Sequence, residues 1–400
     1  MSGASGLLRS RNFGPYFVGN AASASGTWFQ NLAASILVYR LTHSPFLLGV
    51  LNFCQFVPVL VLAPWAGMLA DRVDRRKLVL LMQLVAAALS GILAALAAAG
   101  EATEWVVIGC AAVLGVALAL SQPAQMALVA SLVSREHVAR AVALNSATFN
   151  VARAVGPTAA AAIIAWQGVA VAFAVNACSY LVLAAALLVV RPAPAPRARR
   201  TRLRDAFGLL RRNNTLVLFL LVVASVSAVS DPVNTESPAL AHAFGRSPSW
   251  AGTIIGAFGA GAVIAAFAFG GRIGGTRRRM ALTLGLMATG MVAFAVSPWL
   301  PLAWMFLAAA GFGYLVSNTS ATARLQLSVD EHERGRIMAL WSIAFLGIRP
   351  LASLVDGAIA DAAGVRVATV VMAVPAFAGA LAAAGLHWQL WPLARRDSVS

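Results

Sequence analysis

The chain has 400 residues, of which 60% are hydrophobic and 11% are charged, and its mean hydropathy is +0.80. Soluble domains contain about 25% charged residues, so this composition excludes an ordinary soluble protein and indicates a polytopic membrane protein. A formal net charge of +16 is also found in nucleic-acid-binding proteins, but here the cations lie in clusters between apolar segments. We therefore expect the lipid bilayer as a partner and no nucleic acid.

Twelve apolar segments follow one another along the chain, each close to the roughly 20 residues that a helix needs to cross a bilayer. The sequence therefore predicts an all-α integral membrane protein with twelve transmembrane helices. The first segment is the most polar, which a helix lining a wet cavity tolerates. The segments are 15–39, 45–69, 78–99, 105–132, 142–165, 168–190, 214–238, 249–269, 280–298, 301–328, 337–360 and 366–390.

Charge in the predicted loops gives the orientation. The loops and termini on one side contain 24 arginine and lysine residues, and the loops on the other side contain three. Because cytoplasmic loops carry the excess of cations, this asymmetry predicts that both termini are cytoplasmic. A bacterial inner (plasma) membrane is the expected location, and a monomer is the expected state.

Residues 191–213 divide the chain into two parts. Pro192, Pro194 and Pro196 exclude a regular helix at the start of this basic segment. The part from Arg199 to Arg212 either forms an amphipathic helix on the anionic inner leaflet or is a solvated linker. The predicted organisation is an N-terminal six-helix bundle at 1–190, a linker at 191–213, a C-terminal six-helix bundle at 214–391 and a tail at 392–400.

The two parts also resemble each other in sequence. At a constant displacement of 196 positions, Arg140 aligns with Arg336, Arg153 with Arg349, and Gln122 with Asn318. Two related halves joined by a long inner loop are typical of secondary transporters.

A charged motif lies between the second and third predicted spans. Gly67, Leu69, Ala70, Asp71, Arg72, Arg75 and Arg76 match the pattern G-x-L-A-D-R-x-G-R-R/K, and Asp74 replaces its second glycine. The motif resembles the corresponding loop of major facilitator superfamily transporters, whose fold is two pseudo-symmetric six-helix bundles. The resemblance implies a gating motif formed by Gly67, Asp71, Arg72, Arg75 and Arg76. In that role the Asp71 carboxylate caps a helix of the opposite half, which is reasonable because helix N-termini favour anions.

Charged residues inside spans are the main candidates for chemistry, because they are costly in lipid and therefore face a cavity or a partner. Asp231, Glu236 and Asp356 are the candidates for proton coupling, since a carboxylate in a partly dry cavity disfavours its charged form. Asp231 precedes Pro232, which interrupts the helical hydrogen bonds. Arg153, Arg324 and Arg349 are cavity charges or helix-pairing charges. Structural pairing between helices is the alternative for all six.

Two further sets of residues are candidates for transport. Gly156 and Pro157 resemble the antiport element G-x-x-x-G-P-x-x-G-G of drug exporters, although Ala152, Ala160 and Ala161 replace its other glycines. The drug exporters also have an arginine in span four, and this chain has none between Gly109 and Leu132. Uncharged polar residues in spans one, four and ten either bind substrate or join helices by hydrogen bonds: Asn20, Gln30, Asn31, Gln122, Gln125 and Asn318.

The sequence most resembles the branch of the superfamily that contains enterobactin exporters and macrolide-efflux proteins. The resemblance implies a secondary transporter that exports a small amphipathic molecule by antiport with protons. A carrier that imports a nutrient or moves a lysolipid between leaflets, and a non-transporting membrane sensor, are the alternatives. The sequence lacks a nucleotide-binding G-x-x-x-x-G-K-S/T loop and metal-ligand spacing, so we expect neither an enzyme nor a cofactor or metal.

Overall fold

The computed structural model describes residues 4–193, 210, 214–269, 277–330 and 333–385. The predicted tail 392–400 and most of the linker 191–213 lie outside these residues. The regular elements of the described chain are helices, which we number in chain order. They are Ala4–Leu8 (α1), Phe13–Thr42 (α2), Pro45–Arg72 (α3), Arg75–Ala99 (α4), Glu104–Ser131 (α5), Val138–Gln167 (α6), Val169–Val189 (α7), Asn214–Val229 (α8), Asp231–Thr235 (α9), Ser237–Ala243 (α10), Ala251–Phe269 (α11), Arg277–Val296 (α12), Leu300–Leu327 (α13), Arg334–Leu346 (α14), Ile348–Ala363 (α15) and Val365–Gly385 (α16).

Among the described residues, ten helical segments are long and apolar enough to cross a membrane. The other two long helices, α2 and α6, have 30 residues each, or about 45 Å at the rise of an α-helix. They are long enough to span but more polar, because α2 contains Asn20, Gln30 and Asn31, and α6 contains Arg140 and Arg153. The all-helical membrane fold is confirmed.

Short polar residues begin several of these helices. Ser44 accepts a hydrogen bond from the Leu47 N–H at the start of α3. Asp74 accepts hydrogen bonds from Arg76 N at 2.9 Å and Lys77 N at 3.2 Å. Asp74 is therefore the N-cap of α4, so the residue that departs from the gating motif has a local structural role.

The helices pack in two groups, α2–α7 and α8–α16, which we call the N-bundle and the C-bundle. The helices in the second half of each bundle begin and end at equivalent sequence positions. The bounds of α5, α6 and α7 are displaced by 196 positions from those of α13, the pair α14–α15, and α16. The displacement equals that of the sequence repeat.

Two spans of the C-bundle are interrupted. The first breaks at Ser230 and again at Glu236, and the second breaks at Gly347. Pro232 and Pro238 stand just after the first two breaks, where a missing N–H is tolerated. Two of the predicted proton-coupling residues, Asp231 and Glu236, therefore stand at helix breaks.

The turns that connect consecutive long helices lie alternately at the two ends of the molecule. We call the end where α3 meets α4, next to Arg72 and Arg75, the basic end. The far end is where α2 meets α3, at His43.

Candidate functional site

The two bundles contact each other mainly through two helix pairs, α3 with α15 and α6 with α11, and through a smaller contact of α2 with α10. We call these contacts the far-end seam. A Cβ atom at Gly49 would overlap the Ser353 carbonyl oxygen, and one at Gly252 would overlap Ala161 and the Pro157 carbonyl oxygen. Both contacts are therefore too close for a larger residue. Ser353 stands 196 positions after Pro157, so the repeat relates the two sides of the seam.

The seam extends from the far end to the middle of the helices. At the far end Ser44 Oγ donates to Asp361 Oδ1 at 3.2 Å. Near mid-helix the Arg349 guanidinium of the C-bundle lies 4.7 Å from the Phe56 ring centroid of the N-bundle. Arg349 is thus placed where the bundles meet.

Residues of the gating motif lie at the basic end, away from the far-end seam. The described residues place no heavy atom within 4 Å of a Cβ atom added to Gly67. Arg75 Nε donates to the Ala70 carbonyl at 3.3 Å, and Arg76 Nη2 donates to the Leu188 carbonyl at 3.1 Å. These contacts are inside the N-bundle. Arg72 is exposed, and the side chain of Asp71 lies outside the described part.

Asp231, Glu236 and Asp356, which we call the acidic cluster, are brought together inside the C-bundle. Their exposures are 1%, 1% and 0%. Asp231 and Asp356 both act electrostatically on Glu236, and Asp231 also acts on Asp356. The positive charge that acts on Asp231 is that of Arg349. The structure therefore joins three predicted carboxyl groups to one predicted arginine.

The three carboxyl groups differ in their hydrogen bonds. Thr235 Oγ1 donates to Asp231 Oδ2 at 3.0 Å. Both carboxyl oxygens of Glu236 and both of Asp356 have no hydrogen-bond partner among the described residues. Burial of a charged carboxylate without partners costs several kcal/mol, so these groups require either a bound proton or a compensating positive charge.

Asn20 and Gln125, both predicted to bind substrate, lie next to each other in the N-bundle. Gln125 Nε2 donates to Asn20 Oδ1 at 2.6 Å, and Asn20 Nδ2 donates to Asn145 Oδ1 at 2.8 Å. The three amides connect α2, α5 and α6.

Gln30 is also a predicted substrate residue, but it lies between α2, α4 and α7. Its Oε1 accepts hydrogen bonds from Ser90 Oγ at 2.9 Å and Asn176 Nδ2 at 3.1 Å. We call Gln30, Ser90 and Asn176 the Gln30 network. Asn31 accepts a hydrogen bond from Gln55 Nε2 of α3 at 2.9 Å. These hydrogen bonds agree with the alternative that Gln30 and Asn31 join helices and do not bind substrate.

The remaining candidates are dispersed. Gln122, Asn318 and Arg324 are half-buried, and Asn318 Oδ1 is buried without a hydrogen-bond partner in the described chain. Gly156 packs against Trp28. The side chain of Arg153 lies outside the described part.

A ring cluster at the far end was missed by the sequence analysis. Tyr39 lies 5.7 Å from His43 and 6.0 Å from His242 between ring centroids, and the two histidines are 6.5 Å apart. His43 belongs to the N-bundle side and His242 to α10. No local sequence pattern connects the two histidines, which are about 200 positions apart. Asn145 and Gln55 were also missed, because their partners are on other helices. Thr235 was missed although its partner Asp231 lies one turn before it in α9.

Comparison with known proteins identifies similar transport proteins. The family model described as transmembrane secretion effector (MFS_3) matches residues 2–399. Macrolide efflux protein A of Streptococcus pyogenes is 22% identical over 363 residues, covering 88% of this chain and 89% of that protein. The enterobactin exporter EntS of Shigella boydii is 26% identical over 349 residues, covering 82% and 80%. The staphyloferrin A transporter of Staphylococcus aureus is 28% identical over 158 residues, covering only 39% and 40%.

A solved structure has the same fold. It is that of a bacterial homologue of the human lysosomal transporter Spinster, in an inward-facing and occupied conformation. It superposes with a TM-score of 0.77 at 15% identity, covering 92% of this chain and 95% of that one. The predicted resemblance to major facilitator transporters, and to their macrolide-efflux and enterobactin-exporter branch, is confirmed.

Proposed function

Because the chain belongs to the transmembrane secretion effector family of major facilitator transporters, we propose that it exports a small amphipathic molecule from the cytoplasm. Its relatives include proteins named for macrolide efflux and enterobactin export. We infer a proton-coupled antiporter in the inner membrane of a bacterium, acting as a monomer. Twelve spans result if α2 and α6 cross the bilayer, with α8–α10 as one interrupted span and α14–α15 as another.

The orientation follows from the distribution of charge. The basic end contains Arg72, Arg75, Arg76 and Lys77, so the positive-inside rule puts it in the cytoplasm. Both termini are then cytoplasmic, and the far end faces outwards.

Alternating access is the proposed means of transport. In the present state the bundles meet at the far-end seam, and the described residues place no heavy atom within 4 Å of a Cβ atom added to Gly67 at the basic end. This arrangement supports an inward-facing state. Transport then requires the seam to separate and the basic end to close, with the gating motif approaching the C-bundle.

The observation that carries the proposal is the acidic cluster. Two of its three carboxyl groups are buried without hydrogen-bond partners among the described residues, and Arg349 supplies positive charge next to the third. Buried ionisable groups in membrane proteins mark proton and ion pathways. Protons that bind to the cluster from the outside and leave to the cytoplasm would return it to its starting state in each cycle.

Substrate recognition is assigned to the space between the bundles on the cytoplasmic side. Asn20 and Gln125 supply amide groups there, and Asn318 has a carbonyl oxygen available for a donor. Uncharged amides in an apolar site orient a ligand that is itself largely apolar. An amphipathic substrate fits this chemistry.

Everted membrane vesicles test the proposal. They accumulate an exported compound, and we would assay erythromycin, enterobactin and ethidium with an imposed proton gradient. Accumulation that collapses with a protonophore, and that is absent from vesicles without the protein, is the expected result. Accumulation only in right-side-out vesicles would contradict export and favour the importing alternative.

A further inference from the structure

Three aromatic rings from both bundles meet at the outermost part of the far-end seam. Tyr39 is 5% exposed, whereas His43 and His242 are exposed. The ring centroids of the two histidines are 6.5 Å apart, and Tyr39 contacts both rings. The rings must separate when the bundles part at this end.

The ring cluster is next to the acidic cluster. Glu236 directly precedes α10, the helix that bears His242, and Tyr39 contacts the His242 ring. Tyr39 is buried, and its two histidine neighbours are exposed at the far end. The three rings form a cover at the outer end of the seam.

The two histidines respond to acid in a way that affects this cover. Imidazole gains a positive charge between about pH 8 and about pH 5. Two positive rings at the His43–His242 distance repel each other, and they belong to opposite bundles. Acid on the far side therefore weakens a contact that holds the seam closed.

Other charged groups lie on the elements that pack around the rings. Arg366 donates to the carbonyl oxygens of Ala295, Ser297 and Ala243, and Asp361 accepts a hydrogen bond from Ser44. Both are therefore held by groups outside the histidine pair. Charged residues on or beside the helices at this end are Arg40, Glu236, Arg246, Asp361 and Arg366.

On the basis of the proposed export by alternating access, we propose that Tyr39, His43 and His242 form a proton-sensitive gate over the acidic cluster. Protonation of both histidines from outside separates the rings and favours opening of the far-end seam. The gate then opens to the side from which the driving protons arrive, which gives them access to Glu236.

Distances between the bundles test the gate without a substrate. The full chain, with Cys54, Cys110 and Cys178 replaced by alanine, is labelled with spin probes at Glu101→Cys and Trp299→Cys on the far end. A second sample carries Lys77→Cys and Arg278→Cys on the basic end. Distances are measured by electron paramagnetic resonance in lipid nanodiscs. Between about pH 8 and about pH 5 we expect the open far-end population to rise about tenfold.

Variants separate a proton-sensitive gate from a packing contact. His43→Phe/His242→Phe keeps the rings but removes the charge, and it should stay closed at low pH. His242→Phe alone also removes the repulsion and serves if the double variant does not fold. His137→Phe, at the basic end, is the matched control and should respond like the wild type.

Two outcomes overturn the gate. One is an acid-induced opening that persists in the phenylalanine variants. The other is a far-end distance that ignores pH while the basic-end distance changes, which leaves alternating access intact. If neither distance changes under any condition, the proposed function and the gate fail together.

Discussion

The Gln30 network of the N-bundle and the acidic cluster of the C-bundle bury polar side chains in opposite ways. In the N-bundle, Gln30 Oε1 accepts hydrogen bonds from both Ser90 and Asn176. In the C-bundle, Glu236 and Asp356 are as deeply buried, and their carboxyl oxygens lack hydrogen-bond partners within the described chain. A satisfied network joins helices, whereas an unsatisfied buried group requires another explanation.

The comparison separates polar groups that hold helices together from polar groups that take part in transport. Hydrogen bonds between membrane helices are worth roughly 0.6 kcal/mol on average, which suffices to align α2, α4 and α7. Unpartnered carboxyl groups contribute no such bond, and they are costly when charged. We attribute their presence to transport rather than to folding.

The largest expected effect comes from neutralising the unpartnered carboxyl groups. Glu236→Gln and Asp356→Asn should each reduce gradient-driven transport at least about tenfold, because each removes an ionisable group from the proposed coupling site. Stability should stay the same or rise, since an uncompensated buried carboxylate is lost. Transport in vesicles and thermal unfolding of the purified protein measure the two effects. A large fall in melting temperature would instead assign these residues to folding.

A smaller effect, on stability and not on transport, is expected from a change in the Gln30 network. Gln30→Leu removes the acceptor that Ser90 and Asn176 share and leaves only the 3.4 Å hydrogen bond from Asn176 Nδ2 to Ser90 Oγ. This loss should destabilise the protein by about 1–2 kcal/mol. Transport per folded molecule should be unchanged. Thermal unfolding and vesicle transport are the assays, normalised to folded protein. Loss of proton-driven transport at normal stability would show that the network belongs to the transport site.

The smallest effects come from two matched hydroxyl deletions. Thr235→Val removes the hydrogen bond to Asp231, and Ser90→Ala removes one hydrogen bond to Gln30. Each costs about 1 kcal/mol or less in stability. Only Thr235→Val should change the pH dependence of transport, because only this hydroxyl contacts the acidic cluster. Identical pH profiles for both variants and the wild type would remove the distinction between the two bundles.

Much of the fold could be predicted from the sequence. Apolar segments and loop charge are local properties, so the helix bounds lie close to the predicted ones. The 196-residue repeat is likewise matched by the bounds of α5–α7 and α13–α16. The breaks at Ser230 and Glu236 follow from Pro232 and Pro238, and the break at Gly347 is followed by Pro350 in the first turn of α15.

The candidate site was only partly predictable, because it depends on which helix face meets which neighbour. Charge within a span was enough to select Asp231, Glu236, Asp356 and Arg349. Polarity alone could not predict the partners of Gln30 and Asn20, which both form hydrogen bonds to other helices. The contact of His43 with His242 joins residues about 200 positions apart, and no local pattern predicts it.

Proton movement in proteoliposomes tests the central claim most directly. Purified protein is reconstituted with a pH-sensitive dye inside, and erythromycin, enterobactin and ethidium are added in turn. The wild type and the control Asp330→Asn, an exposed carboxylate at the basic end, should show substrate-induced proton movement. Asp231→Asn should fold and show none. Proton movement that continues unchanged in Asp231→Asn would contradict coupling through the acidic cluster.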